Sequence, residues 1–249
     1  MNLLEVKGMN VEIELNGIMT SVIGPTNSGK TTLLKKLCHI LPNDDIFIDD
    51  VSIKEYDVTF LKNNIVVVFD DNEYNSEYVS EELYFNLHEL GYRLDEINKR
   101  IEDLANYFKV TNLLDRDIHS LTMEERILIK ILSYLIIKPK ILAMDNLFGY
   151  LDSKHVKNIL KYIKENNITL INVTTYSSHI LMGENVIVMN NYKALMCTKV
   201  SSVLDGNSIL PYMGIKLPFI IDLSHNLILY GLIDKLYFDD RKLVDKLWK

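Results

Sequence analysis

The sequence predicts an α/β protein with a helical insertion, and three observations carry that reading. Short runs rich in Ile and Val alternate with longer segments of helical period. A glycine-bearing turn, Gly24-Pro25-Thr26-Asn27-Ser28-Gly29-Lys30-Thr31, follows one apolar run and opens a helical one. A helix-rich stretch, about residues 78–137, separates two other apolar runs. Composition agrees, since the 249 residues are 48% hydrophobic and 24% charged, as in ordinary globular proteins. Lys and Arg number 27 against 34 Asp and Glu, and the net charge of −7 argues against a nucleic-acid partner, whose phosphates need a basic surface. Two cysteines, Cys38 and Cys197, are too few for a disulfide framework or a structural zinc site, which points to a reducing cytoplasm. No basic flank and apolar core of a secretory leader is found at the N-terminus. The longest apolar segment, 127–137, is broken by Lys130 and falls short of the roughly 20 residues of a membrane span. Work at a membrane would therefore be done by docking.

In chain order, strands are expected at residues 18–23, 65–69, 141–144, 169–174 and 185–189, each a short apolar run. Helices are expected at 81–90, 94–108 and 123–137, where apolar residues recur three and four apart. Ser153 is the expected N-cap of a further helix, whose Val156, Ile159, Leu160 and Ile163 form one stripe facing a sheet. Beyond about Leu204, Asp205-Gly206-Asn207, Pro211, Gly214 and Pro218 separate short helical pieces. The expected organisation is thus a main domain, 1–204, and a small C-terminal domain, 205–249.

Residues 24–31 fill every fixed position of G-x-x-x-x-G-K-[ST], with a strand before and a helix after. In this motif the glycines let the backbone wrap a polyphosphate, and the helix adds the positive end of its dipole. Gly24, Asn27, Ser28, Gly29, Lys30, Thr31 and Thr32 are the expected nucleotide contacts. Lys30 would reach the β- and γ-phosphates and the Thr31 hydroxyl would ligate Mg²⁺. Against this stands an ordinary glycine turn, which leaves the complete match and both flanks as coincidence. Asp145, closing the apolar run 141–144, is the expected second metal ligand, or Walker B aspartate; aspartates also cap strand-to-loop turns for purely structural reasons.

Upstream of Asp145 the chain reads Ser120-Leu121-Thr122-Met123-Glu124-Glu125-Arg126 and then Lys138-Pro139-Lys140; downstream comes Leu151-Asp152. This order resembles the ATP-binding cassette (ABC) ATPases, in which a signature L-S-G-G-Q-x-Q-R opens a helix, leads to K-P and the Walker B strand, and is followed by a D-loop L-D. Residues 68–74 and 79–87 look like the Q-loop region of the energy-coupling-factor (ECF) branch, which imports vitamins and transition-metal ions, and the tail 217–232 is similar to that branch's C-terminal helical domain. The resemblance implies a P-loop NTPase core with a helical subdomain at about 78–137 and a small C-terminal helical domain. It implies ATP and Mg²⁺ as ligands and a second ABC subunit, identical or different, as dimer partner. It further implies a transmembrane coupling subunit, docked near residues 70–78, and a place on the cytoplasmic, inner face of the cell membrane.

Several positions depart from the family pattern. Asn146 stands where the resemblance implies a glutamate that polarises water, and an amide is no useful base. Leu121 and Thr122 fall on the two signature glycines, which approach the γ-phosphate held by the opposite subunit. Asp70 aligns with the Q-loop glutamine, where it could ligate Mg²⁺ but would repel a bare phosphate. Thr175 aligns with the switch histidine; His179, four residues on, is expected to be a solvent-facing histidine on a short helix. The strand that carries an adenine-stacking aromatic is missing between residues 4–7 and 11–14, and Tyr56, the nearest aromatic downstream, is expected to pack at a sheet edge.

The reading that results is an ATP-binding subunit of an ECF-type importer that binds Mg-ATP and hydrolyses it poorly. The alternative is a cassette protein that uses ATP binding for dimerisation or regulation without transport. A P-loop small-molecule kinase would leave the order from Ser120 to Asp152 unexplained. In the tail, Val203, Leu204, Ile209, Leu210, Ile215, Leu217, Phe219, Ile220 and Ile221 either meet another cassette or pack back onto the main domain.

Overall fold

The computed structural model describes residues 1–39, 41–71, 73–205 and 208–248. Asn72 of the Q-loop stretch, Gly206 and Asn207 of the expected turn, and the terminal Lys249 lie outside the described residues. The chain opens with β1 (Leu3–Val6) and β2 (Val11–Glu14), joined by one 3-10 turn at Lys7–Met9. β3 (Met19–Ile23) runs through the glycine turn into α1 (Lys30–Leu37). There follow β4 (Ile46–Ile48), β5 (Val51–Ser52), α2 (Val58–Asn64) and β6 (Ile65–Val68). Three consecutive helices, α3 (Val79–Glu89), α4 (Leu94–Phe108) and α5 (Met123–Leu135), then precede β7 (Ile141–Asp145). α6 (Ser153–Glu165), β8 (Thr169–Val173), β9 (Asn185–Asn190) and β10 (Lys193–Lys199) complete the sheet-forming part. α7 (Val200–Val203), α8 (Phe219–Leu229) and α9 (Asp240–Leu247) end the chain.

Six strands form one sheet in the order β10-β9-β3-β8-β7-β6, all parallel except the edge strand β10. Every residue of β3 and β8 is buried, as befits central strands covered on both faces. A parallel sheet gathers the loops after its strands at one edge, so the turns after β3, β6, β7, β8 and β9 share one rim. A second, antiparallel sheet, β2-β1-β4-β5, covers α1 and one face of the first, burying Leu4, Ile13, Leu33, Ile48 and Val173 together. The three-helix insertion covers the other face through Leu83, Ile97, Leu128, Leu132 and Met144.

The C-terminal residues share a core with the sheet. Val203, Leu204, Leu210, Ile220 and Ile221 are buried with Ile23, Val186 and Val188, while Ile209, Ile215 and Leu217 are partly buried and Phe219 is 77% exposed. Among the described residues, no helix is long and apolar enough to cross a membrane. Tyr56 packs beside β4, its hydroxyl donating to the Ile48 carbonyl at 3.2 Å and its ring stacked on Phe60.

One helix start needs correction. The N-cap of α6 is Asp152, whose carboxylate accepts from the His155 backbone N–H at 2.7 Å, and Ser153 is the first helical residue. Asp152 has the extended backbone of a cap, from which its side chain reaches the free N–H groups of the first turn. Asp152→Ala should therefore lower the melting temperature, and Ser153→Ala should leave it unchanged in a thermal unfolding scan. A loss of the same size in Ser153→Ala would contradict the assignment.

Candidate functional site

The rim of the parallel sheet gathers the sequence-predicted residues. At the end of β3, Gly24 packs so closely that an added Cβ would lie 2.3 Å from the Met189 carbonyl oxygen and 2.5 Å from Ser28 Oγ. Asn27 and Gly29 are left-handed, with φ of 62° and 101°, and this curl aims successive backbone N–H groups to one side. Lys30 Nζ donates to the carbonyls of Gly24 (2.9 Å) and Pro25 (2.8 Å) and to Ser28 Oγ (3.2 Å). Burial pulls the ammonium pKa down, and the nearby Asp145 charge partly offsets this. These contacts are the fit to a polyphosphate: neutral loop oxygens hold the lysine where anionic oxygens would make stronger, charge-assisted bonds. Thr32 follows in the first turn of α1, half-buried.

Thr31 Oγ1 donates to Asp145 Oδ2 at 3.4 Å, which brings the two expected metal ligands together. Burial raises the Asp145 carboxyl pKa; the Thr31 hydroxyl lowers it, the Asp70 charge raises it and Lys30 lowers it. Asp70 stands at the same rim after β6, and its Oδ2 accepts the Tyr150 phenol at 2.7 Å. That bond spans 80 residues of chain and joins the turn after β7 to the turn after β6.

Asn146 and Thr175, the positions where the resemblance implies hydrolytic residues, are bonded to each other. Asn146 Oδ1 accepts from both the backbone N–H and the hydroxyl of Thr175, at 3.3 Å each. His179 is not solvent-facing: only 8% of it is exposed, its Nδ1 pairs with Thr174 Oγ1 at 2.9 Å, and its ring meets Phe148 and Tyr176. Apolar Ile180 and Leu181 follow it into the core of the sheet edge, turning the histidine inward, and burial lowers its pKa. At the start of α5, Leu121 is buried in the helical core, while Thr122 caps the helix in a reciprocal box with Glu125. Glu125 accepts from Thr122 N–H at 2.9 Å and from the Thr122 hydroxyl at 3.0 Å, and the backbone bond holds its carboxyl pKa down. Ser120 Oγ donates to the Asp117 carbonyl at 2.7 Å.

Sequence periodicity missed two buried charges. Glu82 on α3 is 1% and Lys130 on α5 4% exposed. Glu82 accepts the backbone N–H groups of Asn75 (2.7 Å) and Ser76 (3.1 Å), and burial raises its pKa despite them. Lys130 pairs with the Asp71 carboxylate and donates to the Asp71 carbonyl at 2.7 Å. Together they fasten the turn after β6 to α3 and α5. Beside it runs a groove of about 710 Å³ between α2, α3 and α5, lined by Val58, Leu61, Phe85, Leu90 and Tyr134. A cleft of about 480 Å³ shares Tyr134 and extends past Phe69, Tyr74 and Lys130.

A phosphate loop closing a central parallel strand, with an aspartate at the end of a neighbouring strand, defines a P-loop nucleotide-binding protein. Residues 6–149 match the ABC transporter family, and the chain belongs to it. It is similar to two ECF transporter ATP-binding proteins named EcfA1: that of Oenococcus oeni, 26% identical over 98% of this chain and 91% of the relative, and that of Clostridioides difficile, 29% identical over 87% and 81%. In fold it is similar to cbiO1 of Clostridium perfringens, part of the ABC transporter complex cbiONQ, with a TM-score of 0.72 and 24% identity over 88% of this chain and 97% of that one. A dimeric ATP-binding cassette solved with ADP and phosphate gives a TM-score of 0.63 at 21% identity, covering 77% of this chain and 89% of that one.

A carboxyl whose folded pKa is raised costs stability once it ionises, and the cost grows as pH climbs from the ordinary carboxylate range through the raised value. Asp145→Asn should accordingly melt higher than the parent near neutral pH without metal or nucleotide, and the gain should vanish in acid where both side chains are uncharged. Thermal scans across pH would show a less stable variant at neutral pH if the carboxylate were instead a net stabiliser.

Proposed function

We propose that this chain is the ATP-binding subunit of an ECF-type importer for vitamins or metal ions, one that binds Mg-ATP and hydrolyses it slowly. The observation that carries the reading is the joint arrangement of phosphate loop, Asp145 and adjacent groove, on a chain that matches ECF ATP-binding subunits along nearly its whole length. Lys30 and the loop backbone hold the phosphates, and Thr31 and Asp145, with Asp70 at the rim, hold the metal, which neutralises phosphate charge. Slow hydrolysis follows from what the replaced groups do. Asn146 spends its carbonyl on Thr175, so only its amide hydrogens remain, and these donate but take no proton from water. At the start of α5, the Thr122 N–H is already bonded to the Glu125 carboxylate, a negative charge where a partner's nucleotide would present its own.

The membrane coupling subunit belongs in the groove between α2, α3 and α5, whose apolar lining suits an inserted helix and which shares Val67 and Tyr134 with the cleft at Asp71. This places the protein at the cytoplasmic face of the cell membrane. A second cassette, identical or different, belongs against the C-terminal helices, where Phe219, Leu229 and Tyr230 are 77–80% exposed. The Asn146–Thr175 pairing also favours a second reading, a cassette that binds ATP to control dimerisation and does not drive transport.

Lys30→Ala should abolish Mg-ATP binding in calorimetry, and the parent, alone or with a co-purifying cassette, should show little ATP turnover. Undiminished binding by the variant, or fast turnover by the parent alone, would refute the respective half of the proposal. Val58→Asp, at an exposed groove position, should retain ATP binding and lose capture of the membrane subunit in a pull-down; undisturbed capture would move docking elsewhere.

A further inference from the structure

We propose that Tyr192 is the platform on which the base of the bound nucleotide stacks, an inference that rests on the nucleotide reading and adds the group that holds the base. The sheet order sets the direction of the ligand. Asp145 and Asn146 follow β7, Thr175 follows β8 and Asp70 follows β6, all on one side of β3. The metal and γ-phosphate end of the site lies on that side, so the nucleoside leaves the phosphate loop on the other, where β9 borders β3. At that end β9 turns into β10 through Asn191 and Tyr192, both left-handed at φ 46° and 63°.

Tyr192 lies against the phosphate loop itself. Its backbone N–H donates to the Ser28 carbonyl at 2.8 Å. A Cβ built on Gly29 would stand 2.8 Å from Tyr192 Cα and 3.0 Å from its ring Cδ1, so the ring starts at the loop and the first turn of α1. The side chain is 55% exposed and, among the described residues, no side-chain hydrogen bond or ring contact engages it. The Ser28 contact uses only backbone, so a glycine would make it without the strain that a Cβ suffers in the left-handed region. An aromatic held there against its conformational preference, beside a ligand cradle and open to solvent, is strain located at a working surface. The short turn at Lys7–Met9, which packs beside β10, brings no ring to compete for the role. Stacking reads the face of a base and not its edge, so ATP and GTP should bind alike.

The test uses the full-length protein, titrated by calorimetry with Mg²⁺ and, in turn, ATP, GTP and inorganic tripolyphosphate. The parent should bind both nucleotides about tenfold or more tightly than tripolyphosphate. Tyr192→Gly should lose that margin, keep the tripolyphosphate affinity and melt at a higher temperature, whereas Tyr192→Phe should keep the margin. An unchanged margin in Tyr192→Gly overturns the proposal, as does an equal loss for tripolyphosphate, which would make Tyr192 a support of the loop. A parent that binds tripolyphosphate and ATP equally overturns stacking and leaves the phosphate site standing; a parent that binds neither overturns the nucleotide reading as well.

Discussion

The parallel pairing of β3 between β8 and β9 is the constraint on which the rest depends. Burial on both faces leaves these strands no register but one, because a slip of one residue would exchange the two faces of a sheet covered by different layers. With that register set, five turns from distant parts of the chain arrive at one rim. The chemistry of the site is then a matter of which side chain each turn carries. The helical insertion and the antiparallel sheet cover opposite faces of the parallel sheet.

The polar groups at the positions that depart from the family pattern are each paired. Asn146 and Thr175 satisfy each other, Asp70 is bonded to Tyr150, and Thr122 and Glu125 close a helix cap. Each pairing uses donors or acceptors that water activation or phosphate contact would otherwise employ. A polar group near a buried site costs stability when left unpaired, so substitution at one member of such a set favours a complementary residue at the other. Of these positions, Asn146 and Thr175 are linked directly to each other by hydrogen bonding.

What the sequence disclosed, and what it hid, follows from the range of the interactions. The phosphate loop, the Walker B strand and the amphipathic helices are local patterns of spacing, and they sit where that spacing places them. β10 escaped because an edge strand that alternates exposed and half-buried residues carries little apolar signal. Tyr150 and Asp70 meet across 80 residues, and no local window contains both. His179 was misread because its helical neighbours look polar, whereas burial is decided by the Ile180 and Leu181 contacts that follow it. Glu82 and Lys130 sit inside otherwise regular helical patterns, and their partners belong to a turn whose path cannot be read from periodicity.

Those two buried charges have a mechanical consequence. Glu82 on α3 and Lys130 on α5 grip the turn after β6 from two helices, and Asp70 is the residue next to the gripped Asp71. The placement of Asp70 is therefore tied to both helices, and the groove runs between the same helices. Asp145, by contrast, is held by the pairing of the central sheet. The Tyr150 phenol holds Asp70 from the other side, so this carboxylate joins the helix-bound turn to the turn after β7.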